Sequence, residues 1–233
     1  SGELSRQLAT TVAIIGLIIV ALLSYRLSIF FQLLTLAYFG LQMLYAKQLK
    51  HIPILDVVSI ATGFLIRIYA GSVVVNLHMS VWFLLTVISA SLFLAVGKRQ
   101  SERTLLLGKH EGELGSTRAT LKRYSERLLD QYTGMFANAT WLTYAIFAFQ
   151  HEINTPLVSI STLYTFLPKT LHSQKLLMLS IPFVIIGVMR YLQLVYESNQ
   201  GESPEKVLLN DKPLLLITFL FGLVVMTVTY IFT

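Results

Sequence analysis

YAKQLKHIPILDVV (residues 45–58), GFLIRIYAG (63–71) and GKRQSE (97–102) mark the start, the middle and the end of the stretch that decides the fold. Between its charged ends run two apolar segments, each about the 20 residues that a helix needs to cross the hydrocarbon core of a bilayer. A basic turn opens the pair, an acid and an arginine lie inside it, and Lys98-Arg99-x-x-Glu102 closes it. Ionisable groups at the ends of and within lipid-embedded helices are costly, which is why they so often mark sites.

The composition agrees with a membrane location. Charged residues make up 13% of the chain and apolar residues 55%, against roughly 25% charged in a soluble domain. With no cysteine, disulfide scaffolds, thiolate metal sites and cysteine nucleophiles are excluded. The formal charge of +6 is gathered in loops, a pattern of membrane topology and not of nucleic-acid binding.

Seven apolar spans follow: 8–23, 29–46, 54–75, 81–96, 134–149, 176–195 and 214–232. They predict an all-α, polytopic bundle forming one transmembrane domain over 1–233, with a cytoplasmic loop or helix at 97–133. Fourteen of the eighteen lysines and arginines fall on one side of this layout and three on the other. The positive-inside rule then makes the 98–127 side cytoplasmic. Within it, Leu121, Tyr124, Leu128 and Tyr132 recur at helical spacing, which predicts a surface-lying or capping helix. Residues 152–167 are too short and polar for a span and read as a helix extension or an outer interfacial segment. The chain opens at SGELSRQL, without Met or signal peptide, as the interior of a longer protein does, and Ser5 suits a helix N-cap.

Three constellations carry chemistry. Asp56 and Arg67 are eleven residues apart, so on a helix they face within about 20° of each other, roughly three turns apart. Gly63 and Gly71 lie on the same stripe and allow a helix or a ligand to approach. The alternative is an interfacial acid and an arginine paired elsewhere. Tyr45, Lys47, Lys50 and His51 suit phosphate oxygens, or simply flank a cytoplasmic helix end. Lys98, Arg99 and Glu102 offer cations for an anion and a carboxylate for a divalent ion, or form another positive-inside flank. Arg190, which ends an apolar span beside Tyr191, is a further candidate. No Walker A loop, G-x-G-x-x-G, H-E-x-x-H or G-x-S-x-G sequence is present.

Through L-K-H-x-P-x-L-D at 49–56, G-K-R-x-x-E at 97–102, YSERLLDQ, IPFVIIGVMRYLQLVY and GESPEKVLLNDKPLL, the chain resembles the decaprenyl-phosphate phosphoribosyltransferase branch of the UbiA-type intramembrane prenyltransferase superfamily. The resemblance implies seven of the nine transmembrane helices of that fold. It implies transfer of 5-phosphoribose from phosphoribosyl diphosphate to a polyprenyl phosphate, with release of pyrophosphate and with Mg²⁺. Such transfer is a step towards lipid-linked pentose for cell-envelope polysaccharide. The implied setting is a bacterial inner membrane with the active site facing the cytoplasm. The implied partners are the phosphoribosyl donor, the lipid and the bilayer, with no nucleic acid; a homo-oligomer is compatible with this.

Asp56 and Lys50 are then the candidate catalytic residues, Asp56 orienting Lys50 or a bound ligand. Tyr45, Lys47, Lys50, Arg67, Lys98, Arg99 and Arg190 are the candidate phosphate contacts, and Glu102 is a candidate metal ligand. The family's first Asp-rich motif precedes the point where this chain opens, so the chain as it stands is expected to be inactive. The alternatives are prenyl transfer to an aromatic acceptor, which the resemblance opposes because Lys98-Arg99-x-x-Glu102 stands where prenyltransferases of the superfamily have their second Asp-rich motif, and a non-catalytic transporter or remnant.

Overall fold

The computed structural model describes residues 6–107, 124–151, 175–197 and 204–231. Among them there is no strand. The helices are α1 (Arg6–Tyr25), α2 (Ile29–Lys47), α3 (Leu55–Val75), α4 (Val81–Leu107), α5 (Glu126–Gln150), α6 (Ile181–Glu197), the short α7 (Pro204–Asn210) and α8 (Lys212–Ile231). A 3₁₀ turn at Leu49–His51 leads towards α3, and another at Leu176–Ser180 runs directly into α6.

Local chemistry sets the helix ends. Ser28 and Ser125 cap α2 and α5, their hydroxyls accepting from Phe31 N–H at 3.3 Å and Leu128 N–H at 3.2 Å. The Asp211 carboxylate accepts from Leu214 N–H at 2.8 Å and caps α8. Asn76 closes α3 in the left-handed region at φ 54°, a conformation that asparagine tolerates better than most residues. Along the helices, Thr35, Thr62, Thr86, Ser91, Thr133 and Thr140 each donate to the carbonyl four residues back. Hydroxyls facing lipid or core are thereby satisfied within their own helix.

Within the described residues, which end at 231, the seven apolar spans fall on helices, the 176–195 span opening in the 3₁₀ turn. Five helical stretches are long and apolar enough to cross a membrane: Ile29–Lys47, Leu55–Val75, Val81–Glu102, Leu176–Glu197 and Lys212–Tyr230. The apolar part of α1, Thr10–Tyr25, is shorter. The chain is an all-α polytopic bundle. Its helices run alternately in the two directions, so the end of α2, the starts of α3, α5 and α8, and the ends of α4 and α6 gather at one end, here called the inner end.

α4 sits at the centre, packed on α3, α5 and α6. Val57 of α3, Ala95 and Val96 of α4, and Tyr124 and Leu129 form one core cluster. Phe93, Ala137, Tyr191, Leu194, Val195, Val207 and Leu214 form a second. A third joins Tyr144, Ala148, Leu177 and Val228. α5 buries a stripe of Leu129, Thr133, Ala137, Thr140, Tyr144 and Ala148. That three- and four-residue spacing, with small side chains between large ones, is the seam of a close-packed helix pair. Large apolar residues remain exposed along α1 and α2, where lipid tails solvate them.

Residues 97–107, expected as loop or helix, form the last turns of α4, where Arg99, Gln100 and Ser101 are buried against neighbouring helices. One sequence expectation changes here. Leu128 and Tyr132 belong to α5, a long helix that enters the bundle, and not to a helix lying on its surface. Leu121, Ser5 and the 152–167 segment lie outside the described residues.

Candidate functional site

The inner end is built around the guanidinium of Arg99, which is 7% exposed. Its Nε lies 2.8 Å from Asp56 Oδ2 without the alignment of a hydrogen bond, so this contact is chiefly coulombic. Nη1 donates to Glu102 Oε2 at 2.5 Å, one turn along the same helix. Nη2 donates to the Tyr45 hydroxyl at 3.1 Å, at the end of α2. One side chain thus ties α2, α3 and α4 together.

Asp56, 1% exposed, stands in the first turn of α3, where the helix dipole favours an acid. Its Oδ1 accepts from Val57 N–H at 2.8 Å and from the Tyr124 hydroxyl at 2.7 Å. The Tyr124 oxygen in turn accepts from Ile54 N–H at 2.5 Å. Burial, and secondarily the hydrogen bond to Asp56, pushes the Tyr124 phenol far above its ordinary pKa. It stays protonated and donates. Ile54 is held at φ 72°, a rare conformation for a β-branched residue. Tyr124 therefore fixes the turn that leads from Lys50 and His51 into α3.

A second layer flanks the first. Gln100 Nε2 donates to Asp130 Oδ1 at 2.8 Å, and the Tyr196 hydroxyl donates to the same oxygen at 3.1 Å. α4, α5 and α6 are joined there. Arg190 donates through Nε and Nη2 to the two oxygens of Asp211, at 3.2 and 2.7 Å. That fork holds the Asp211 carboxyl below its usual range, first through the hydrogen bond from Arg190. Gly97 makes the approach of α4 to α6 possible, since a Cβ there would lie 3.1 Å from the Tyr191 ring.

The expected residues are thus distributed unevenly. Tyr45, Asp56, Arg99 and Glu102 come together. Lys98, half-buried, and Lys47, exposed, have no ion pair among the described residues. Lys50 is half-buried on the 3₁₀ turn. Asp56, expected to orient Lys50 or a ligand, has Arg99, Tyr124 and its own helix as described partners. Arg190 is engaged by Asp211.

Arg67 lies apart, about 16 Å along α3 from Asp56 at 1.5 Å per residue. It bonds the Tyr38 hydroxyl on α2 and lies over the rings of Tyr38 and Phe64. It also lines a largely apolar cleft of about 580 Å³ between α3, α4, α6 and α8, with Phe93, Tyr191, Leu214 and Phe221 among others. The shared stripe of Asp56 and Arg67 therefore does not make one site. Gly63 meets Tyr38 and Gln42 of α2, whereas open space surrounds Gly71.

Glu102, expected to hold Mg²⁺, has Arg99 as its described partner. No three acidic or histidine side chains converge among the described residues. The reading of the sequence missed the Tyr124 bridge, the Gln100–Asp130–Tyr196 link and the Arg67–Tyr38 pair. The visible hint for the first was a tyrosine placed immediately before the Ser125 cap.

No family model matches the chain. Among curated proteins, it is 30% identical to the decaprenyl-phosphate phosphoribosyltransferase of Corynebacterium glutamicum over 198 residues, 83% of this chain and 52% of that protein. It is 30% identical to the protein of the same name from Mycolicibacterium smegmatis over 201 residues, 85% of this chain and 59% of that protein. The Mycobacterium tuberculosis protein of that name is 30% identical over 152 residues, 65% and 49% of the two chains. The chain spans somewhat more than half the length of the first two relatives.

Proposed function

We propose that this chain, a homologue of the decaprenyl-phosphate phosphoribosyltransferases in the UbiA-type branch, is the part of such an enzyme that grips the phosphoryl groups of its substrates. The donor is phosphoribosyl diphosphate and the acceptor a polyprenyl phosphate, with the active site at the cytoplasmic face of a bacterial inner membrane. One observation carries this reading. Tyr45 of α2, Asp56 of α3 and Glu102 of α4 meet at the guanidinium of Arg99, on the end of the bundle where Lys47, Lys50 and Lys98 also stand.

In the reaction a non-bridging oxygen of the lipid phosphate attacks the anomeric carbon of the ribose. A carbon–oxygen bond forms there as the bond to the diphosphate breaks, and pyrophosphate leaves with the electron pair. The nucleophile is already anionic, so the protein's task is placement and not deprotonation. Negative charge grows on the leaving diphosphate, and fixed cations beside it lower the barrier. Lys98 and Lys50 supply charge at the rim, and Arg99 supplies a guanidinium aimed by Asp56. The isoprenoid tail takes the apolar cleft between α3, α4, α6 and α8, which runs from Tyr191 and Leu214 near the rim to Phe183 and Phe221 at depth.

The test uses the full-length protein in nanodiscs, with labelled phosphoribosyl diphosphate and a polyprenyl phosphate. Lys98→Ala and Arg99→Ala should each lower transfer by roughly a hundredfold or more. Label left on water-soluble species in the wild type, or near-normal transfer by both variants, defeats the proposal.

A further inference from the structure

We infer that Glu102 occupies, on Arg99, the seat that an anionic ligand takes over. The inference rests on the phosphoryl-binding reading above, and it adds an exchange of partners to it.

The three partners of Arg99 are unequal. Asp56 is 1% exposed and is pinned by Val57 N–H and the Tyr124 hydroxyl, so it cannot turn away. Tyr45 is neutral, with its hydroxyl 3.1 Å away. Glu102 is different. Its side chain is 19% exposed, and Arg99 is its described partner. Rotation about its own side-chain bonds would free Nη1 without moving the backbone.

Charge requires an exchange and not an addition. One guanidinium faces two carboxylates in a nearly closed pocket, so the cluster carries one acid more than its cation balances, and like charges there repel. A phosphate arriving at Nη1 restores the same arrangement only if Glu102 withdraws. Lys98, the residue before Arg99, has no ion pair among the described residues and supplies the second cation the incoming anion needs. The ligand class is a phosphate or diphosphate group, bound by a charge-assisted hydrogen bond from Arg99 Nη1 and by a lysine point charge. Glu102 is accordingly a positioning and gating residue for that anion.

The experiment measures inorganic pyrophosphate binding to the full-length protein in nanodiscs by titration calorimetry, with chelator present so that no divalent ion contributes. Glu102→Gln keeps the shape and removes the charge, and Glu102→Ala cannot touch the guanidinium at all. Reading both keeps a folding defect in one from deciding the matter. Either should bind pyrophosphate roughly tenfold tighter than the wild type, the scale of relieving one like-charge contact at a partly exposed site. The gain should vanish when Arg99→Gln is added. Unchanged or weaker binding in both variants marks the pair as an ordinary helix-surface ion pair and overturns the inference. So does a gain that survives Arg99→Gln. Absence of ribosyl transfer by the wild type would instead defeat the proposed function, and it would leave this binding result standing.

Discussion

Removing the Asp56 carboxylate should be among the most damaging single changes available at the inner end. Asp56→Ala leaves Arg99 buried with its innermost counter-charge gone, and it leaves the Tyr124 hydroxyl without its acceptor. Breaking a buried ion pair from one side costs about 3–5 kcal/mol. Glu102 remains on Nη1 and offsets part of that, so a net loss of about 3 kcal/mol is the working figure. For a chain of this size each kcal/mol moves the melting midpoint by about 2–4 °C, so the expected drop is roughly 6–12 °C. Thermal unfolding in detergent, followed by circular dichroism, measures it. The double-mutant cycle with Arg99→Ala isolates the pair: the double variant should be more stable than the two single losses summed, by about 1.5 kcal/mol or more. Additive losses, or a drop under about 2 °C for Asp56→Ala, would show that this pair does not hold the inner end together.

Three further outcomes follow from the same geometry. Tyr124→Phe loses two hydrogen bonds, one of them to a charged acceptor, and should cost about 2 kcal/mol, read as a lower melting midpoint together with faster proteolysis near residue 54. Gly97→Ala puts a methyl group against Tyr191 and should cost about 1–3 kcal/mol by overpacking; Tyr191→Leu should recover part of the lost melting temperature. Asp211 has a pKa below its ordinary value, so its contribution to stability is full above the unfolded-state pKa and is lost as pH falls through the lower folded-state value. Melting midpoints taken from neutral to acid pH should show that loss in the wild type, and Asp211→Asn should lack it.

The fold was legible because lipid imposes a length and a polarity that any helix crossing it must meet. Spans such as 29–46 and 214–232 could be placed from apolar runs alone. The ends were less legible for the same reason. Arg99 follows an apolar run and looks like a solvated flank until the neighbouring helices are known, since only Tyr45, Asp56 and Glu102 together make its burial tolerable. Periodicity placed Asp56 and Arg67 on one stripe, yet each took its partner from a different helix. A facing direction says nothing about which neighbour stands there. Tyr124 was the hardest to find, because its role depends on a contact with Ile54 seventy positions earlier, which no local pattern announces. The sequence offered Tyr45, Asp56, Arg99 and Glu102 in three separate constellations, among other candidates. It could not show that they would meet one another before they meet a ligand.

Ile54 leaves a last consequence. A β-branched residue at φ 72° stores on the order of 1–3 kcal/mol of backbone strain, and the Tyr124 oxygen retains it by capturing the Ile54 amide. The phenol is thus the latch of the turn that bears Lys50 and His51. A ligand that drew it away would have to break its bonds to Asp56 and to the Ile54 amide, and relief of the strain would return part of that cost.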